Sequence, residues 1–306
     1  MKSKWIKSLI FVFIVVIIDR TVGSVCQKLY NKSNDYNIFR LRYTLDSTKE
    51  DILILGSSRA EHHFVPRIIS QNIGLSVYNC GLGGEGLLFS LIQLKESLKR
   101  YKPKFILVEV SPNVLLDLES KEKLQILKPF YNKDPLIYET LTAGKVFEKV
   151  KFLSSIYPYN STILSLIKGC FKPKTDSLNG FKPLVGIIDT SRLSNKIDIM
   201  FPGPTIPSEK FITLKQLIAL CCNNNIKIAI VSSPIYQMNK NFDGMMTQIK
   251  RMCLQQNKNV YFLDYSTYQS LYKQPVYFKD NLHLNYNGAK IFSEAISKEL
   301  KEIVSR

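Results

Sequence analysis

The chain has 306 residues, 45% of them apolar, and a formal charge of +17 from 42 basic and 25 acidic residues. That apolar share supplies a sizeable core and excludes global disorder. Six cysteines without a C-x-x-C, and only three histidines (His62, His63 and His283), exclude a zinc framework, a disulfide-dense scaffold and a His-rich metal site. The excess lysines are spread along the chain, with no arginine-rich run and no aromatic–basic interleaving. This reads as a solvated surface and argues against nucleic acid, leaving an anionic envelope polymer or lipid headgroups as charged partners.

At the amino terminus Lys2, Lys4 and Lys7 precede an apolar run, Leu9–Ile18, which Asp19-Arg20 interrupts. The run alone is short for a membrane span and would suit a signal segment. The cleavage sites around Gly23 and Ser24 are imperfect, however, and Cys26 lacks a lipobox. If the helix continues through Val22, Val25 and Leu29, residues 1–30 form an uncleaved anchor, the reading favoured here. The lysine bias then holds the N-terminus in the cytoplasm and places residues 31–306 outside the cytoplasmic membrane, in the periplasm or at the cell surface.

From Asp51 onward short β-branched runs alternate with helical patterns. Strands are expected at 51–55, 75–78, 105–110, 227–231 and 260–263. Helices are expected at 60–71, 87–99, 209–222, 245–256 and 287–304; the second has Leu87, Leu88, Leu91, Leu94 and Leu98 on one face. Five strands separated by helices predict a five-stranded parallel sheet covered on both faces, a flavodoxin-like three-layer α/β/α domain. The stretch 114–207 lacks clean periodicity, carries Lys-Pro, Asp-Pro, Tyr-Pro and Phe-Pro-Gly-Pro punctuation, and reads as a helical or irregular insertion. There is no internal repeat.

In such a sheet ligands meet the carboxyl ends of the strands. Gly56-Ser57-Ser58-Arg59 follows the first strand, the glycine-rich Asn79–Gly86 the second, and Ser111-Pro112-Asn113 the third. Asp280-Asn281-Leu282-His283 precedes the last helix. A serine hydroxyl needs a base to take its proton. His283, the one histidine outside the first helix, suits that role for Ser58, and Asp280, three residues earlier, can fix the ring's tautomer. An oxyanion needs preorganised donors, which the Ser58 and Gly84 N–H groups and the Asn113 amide can supply. Arg59, beside the serine, is a candidate contact for an anionic substrate group.

Ser58, Gly84, Asn113 and His283, in that order and each after its own βα element, resemble the blocks of the SGNH (GDSL-type) hydrolases. The resemblance covers roughly residues 50–115 and 226–306. It implies Ser58 as nucleophile, Ser58, Gly84 and Asn113 as oxyanion donors, and Asp280 with His283 as the acid–base pair. No metal or organic cofactor is implied. Gly-Ser-Ser stands where the family usually has Gly-Asp-Ser, and Ser-Pro-Asn where it has Gly-x-Asn. The anchored layout is similar to two subgroups: proteins that add or remove O-acyl groups on envelope polysaccharides, and D-alanylation proteins of teichoic acid synthesis. The partners so implied are an acylated envelope polysaccharide or glycolipid and a multi-pass membrane acyltransferase. The different-class alternative is a non-catalytic anchored adaptor of such an acyltransferase.

Rival readings attach to the same residues. Gly81-Leu-Gly-Gly-Glu-Gly86 fits G-x-G-x-x-G with Glu109 as a ribose contact, but it follows the second strand rather than the first. Gly56-Ser-Ser-Arg-Ala60 falls one residue short of a G-x-S-x-G elbow. Ser58 can serve as a mere helix cap, and Asp264 can replace Asp280. His62 and His63 read as helix-surface or cleft-wall residues.

Overall fold

The structure is a computed structural model that describes residues 2–111, 114–115, 123–172, 178–192, 205–237, 240–256 and 258–305. In chain order its elements are α1 (Lys2–Lys32), α2 (Tyr36–Asp46), β1 (Ile52–Leu55), α3 (Ser58–His63), α4 (Pro66–Ile73), β2 (Val77–Asn79), α5 (Leu87–Leu98) and β3 (Phe105–Glu109). Next come α6 (Pro135–Thr142), α7 (Val146–Lys151), α8 (Ile163–Cys170), α9 (Ser208–Asn223), β4 (Lys227–Ser232), α10 (Lys240–Leu254), β5 (Val260–Asp264) and α11 (Tyr286–Ser305). They form two compact units, Met1–Tyr43 with Ser120–Thr175 and Thr44–Glu119 with Asp176–Arg306.

The second unit is built on one parallel sheet with the order β2-β1-β3-β4-β5. This is the flavodoxin-like order, with its topological switch between β1 and β3. β1 and β3 are buried along their whole length, as expected of central strands covered on both sides. Ile52, Ile54, Phe105, Leu107, Ala229 and Val231 share one face and pack with Phe64, Ile69, Phe292, Ile296 and Leu300 from α3, α4 and α11. The alternate residues Leu53, Ile106, Ile228 and Ile230 point to the other face and are also fully buried. On that side α5 packs against α9.

Boundaries differ from the sequence reading at several places: the helix expected over 245–256 runs Lys240–Leu254, and two further differences have a local cause. The helix expected over 60–71 is two helices, because Pro66 lacks an N–H and forces Val65 into extended backbone, so α3 ends and α4 starts afresh. The second strand begins at Val77 rather than Leu75, after Gly74 closes α4 in the left-handed region at φ 78°.

In the first unit α1 runs unbroken to Lys32. It is the one helix among the described residues long and apolar enough to cross a membrane, with a mean hydropathy of 2.3 over its most apolar stretch. Leu9–Ile18 are exposed along it. Farther on, Cys26 and Tyr30 are buried, and the Tyr30 ring meets Phe130 and Tyr159 at 5.7 and 5.9 Å. Thus part of the stretch read as an insertion forms a compact body with the amino-terminal helix. Phe152 anchors it, stacked on Tyr131 at 4.8 Å and edge-on to Tyr157 at 5.0 Å.

Candidate active site

The chain leaves β1 through Gly56 at φ 140°, a conformation that side chains rarely adopt; a Cβ there would lie 2.9 Å from Ala60 Cβ and 3.0 Å from the Glu109 carbonyl oxygen. This turn puts Ser58 on the first position of α3, at the sheet's switch point. Its Oγ lies 2.8 Å from His283 Nε2, although 225 positions separate them in sequence. His283 is held by a tight turn: Phe278 and Leu284 bridge antiparallel, and the Lys279 N–H donates to the His283 carbonyl at 2.8 Å. Within it Asp280 Oδ1 accepts the N–H of Leu282 (2.8 Å) and of His283 (2.9 Å). Both Asp280 oxygens stand 3.0 Å from His283 Nδ1.

The carboxylate accepts only, so Nδ1 carries the proton and donates, and Nε2 is left to accept the Ser58 hydroxyl. Burial works to raise the Asp280 carboxyl. The hydrogen bonds and charge of His283, with the two backbone donors, outweigh it and hold the group below the usual carboxylate range. Ser58, His283 and Asp280 thus form one hydrogen-bonded chain of hydroxyl, imidazole and carboxylate. Asp264, the alternative acid, instead accepts the Ser266 N–H at 3.0 Å. The cap of α11 is Asn285, whose Oδ1 takes the Gly288 N–H.

The glycine-rich turn after β2 lies against α3. A Cβ on Gly81 would fall 2.5 Å from the Glu61 nitrogen, and one on Gly83 would reach Ser58 Cβ at 3.6 Å. The Gly83 N–H is taken by Glu61 Oε2 at 3.0 Å. Gly84 follows at φ 88° with open space where a side chain would stand, and among the described residues no partner takes its N–H. Gly81 and Gly83 serve close packing on α3, and Gly86 precedes the first residue of α5. Asn113 lies outside the described residues.

Arg59 corrects an expectation. Its side chain is 2% exposed and turned beneath the site, where Nε lies 3.2 Å from Glu109 Oε1 and the guanidinium donates to Ser233 Oγ at 2.9 Å and to the Ser233 carbonyl. It therefore faces the interior rather than a substrate. Burial pushes the Glu109 carboxyl up and the Arg59 guanidinium down, and their mutual attraction opposes both.

A second histidine joins this network. His63 Nε2 accepts the Leu284 N–H at 2.9 Å, so the proton sits on Nδ1 and is donated to Ser233 Oγ at 2.8 Å. Ser233 in turn donates to Glu109 Oε1 at 2.9 Å. Complete burial, with Arg59, His283 and His62 nearby, holds His63 well below the usual imidazole range, and it stays neutral. His62 donates from Nδ1 to the Lys182 carbonyl at 2.6 Å; burial lowers it too. Glu109, Ser233 and the supporting role of His63 went unread in the sequence. The available signal was a carboxylate closing an otherwise apolar strand, Phe105-Ile-Leu-Val-Glu109.

No family model matches the chain, and no curated protein does. Solved structures do. A protein from Streptococcus pneumoniae described as a platelet activating factor is 12% identical with a TM-score of 0.46, over 97% of this chain and 98% of its own. A protein from Bacteroides fragilis described as an acylhydrolase is 12% identical with a TM-score of 0.44, over 86% and 96%. A lipolytic protein of the G-D-S-L family from Desulfitobacterium hafniense is 10% identical with a TM-score of 0.45, over 81% and 97%.

Proposed function

We propose that the chain is a serine-dependent acyl ester hydrolase or O-acyltransferase that works through an acyl-enzyme on Ser58. The observation that carries this is the chain from Ser58 Oγ to His283 Nε2 (2.8 Å) and from His283 Nδ1 to Asp280 (3.0 Å) at a strand's carboxyl end. Ser58 Oγ attacks the ester carbonyl carbon while its proton passes to His283 Nε2. Asp280 holds the ring in the required tautomer and stabilises the imidazolium. The tetrahedral oxyanion is received by the N–H groups of Ser58 and Gly84, with Asn113 as the third donor. As it collapses, the carbon–oxygen bond to the alcohol breaks and His283 returns the proton to that alcohol. Water, or a sugar hydroxyl, then gives a proton to His283 and attacks the acyl carbon; the bond from that carbon to Ser58 Oγ breaks and His283 returns the proton to Oγ.

In this reading α1 is an uncleaved anchor, and the substrates are acyl groups of a cell-envelope polysaccharide or glycolipid outside the cytoplasmic membrane. A multi-pass acyltransferase is the proposed partner. The unbroken course of α1 and the hydrogen bonds of Asp19 and Arg20 to Ser154 and Ser155 favour retention of the segment. The test is hydrolysis of short-chain p-nitrophenyl esters by the full chain in detergent. Turnover that disappears in Ser58→Ala and persists in Ser57→Ala supports the proposal. Turnover absent from the wild type, or unchanged in Ser58→Ala, favours the non-catalytic adaptor.

A further inference from the structure

In the first unit four apolar side chains on and beside α7 stand open: Val146, Phe147, Val150 and Leu153 are 75%, 72%, 52% and 70% exposed. Ser154 and Ser155, next in the chain, fix the position of this group along α1. Asp19 accepts Ser154 Oγ at 2.5 Å and the Ser155 N–H at 2.8 Å, and Arg20 donates to Ser155 Oγ at 2.6 Å. Gly23 lets the segment press close, since a Cβ there would lie 2.4 Å from Ser155 Cβ. Leu153 directly precedes Ser154, so the open apolar group sits at the height where the apolar run of α1 ends.

That height matters because the run is short. The charge-free stretch before Asp19 is residues 8–18, about 16 Å of helix at about 1.5 Å per residue, against a hydrocarbon core of about 30 Å. A bilayer spanned by α1 therefore extends past Ile18, to a stretch that exposes Val22 and Val25 together with Thr21 and Ser24 before Lys28. Asp19 then lies within the leaflet through which α1 leaves, where an unpartnered carboxylate is costly, and the 154–155 segment supplies its donors. The side chains that flank this segment are apolar, with the exposed Lys145 and Lys149 between them, as on a helix lying at a lipid interface. Lys151 is turned back over the Phe147 ring at 4.9 Å.

We propose that Val146, Phe147, Val150 and Leu153 enter the interface of the leaflet through which α1 leaves the bilayer, giving the first unit a second membrane contact that completes a short span. The occupant is lipid, with anionic headgroups meeting Lys145 and Lys149. This rests on the reading of α1 as a retained anchor.

The test places the full chain in phosphatidylcholine–phosphatidylglycerol vesicles whose acyl chains are brominated. Trp5 is the chain's sole tryptophan, so Phe147→Trp in a Trp5→Phe background reports one site, and Val150→Trp in the same background repeats the reading. About twofold quenching by brominated chains, with shielding from aqueous iodide, is expected at both positions. Quenching by iodide alone overturns the proposal; shielding from both quenchers also overturns it and identifies a second copy as the cover. Trp5 of the wild type, read in the same vesicles, separates the two levels. Trp5 quenched by lipid while position 147 is not defeats the second contact alone, whereas a chain washed from the vesicles by carbonate defeats the anchor as well.

Discussion

Neighbouring side chains on an α-helix point about 100° apart, and Ser58 and Arg59 show the consequence. The serine at the start of α3 faces His283, while the arginine beside it turns under the site to Glu109. Adjacency in sequence therefore misassigned Arg59, whereas the meeting of Ser58, His283 and Asp280 was legible because each is of a type that hydrogen-bonds to the next. Glu109 was not legible as a partner, since the contact with Arg59 is distant in sequence and is made by two residues that sequence habit puts at the surface. Asp280→Asn should lower kcat for ester hydrolysis on the order of 10²–10⁴-fold with little change in KM, because the wrong tautomer of His283 then faces Ser58. Glu109→Gln should cost about 3–5 kcal/mol in urea unfolding, because Arg59 is left buried without its counter-charge. A loss under about 1 kcal/mol would show that the pair is not closed in solution.

At the level of elements, α3 is tied to the loop before α11 through His63, which accepts the Leu284 N–H beside His283. Because His63 is neutral when folded and its pKa is lowered from 6.5, the unfolded chain binds the extra proton. Its contribution to stability is complete above about pH 6.5 and is lost as pH falls below that value toward the folded pKa. Thermal unfolding midpoints should therefore drop as pH falls from about 7 to about 5, and His63→Gln should flatten that dependence. An unchanged pH slope in the variant would remove His63 as the group responsible. Gly81→Ala drives a methyl into the Glu61 nitrogen and Ala60. It should destabilise by about 1–3 kcal/mol and slow ester hydrolysis by shifting the turn that carries Gly84. The strands and most helices were readable from pattern, because β1 is apolar throughout, β3 is apolar up to Glu109, and α11 buries one face. The break between α3 and α4 was readable only at Pro66, where ring geometry overrides an otherwise continuous helical pattern.

Across the whole molecule, sequence order and spatial order part most clearly in the stretch 120–175. Its aromatic and proline-rich residues have no period of their own because they pack partly on α1, as Tyr30 with Phe130 and Tyr159 shows, and partly in an irregular cluster around Phe152. The same unit explains Asp19, a charge that looked like an interruption and is instead a set of hydrogen bonds to residues 154–155. The parallel sheet, by contrast, followed from alternation of strand and helix, and the turn after β1 brings Ser58 to His283. The proposed mechanism requires that Ser58 become acylated. Incubating the full chain with a p-nitrophenyl acetate pulse, quenching in acid and mapping peptides by mass spectrometry tests it directly. The expected result is an acetyl group on Ser58 that accumulates in the wild type and is absent from His283→Ala; acetylation confined to Ser57 or to surface lysines, at equal rates in both proteins, would contradict it.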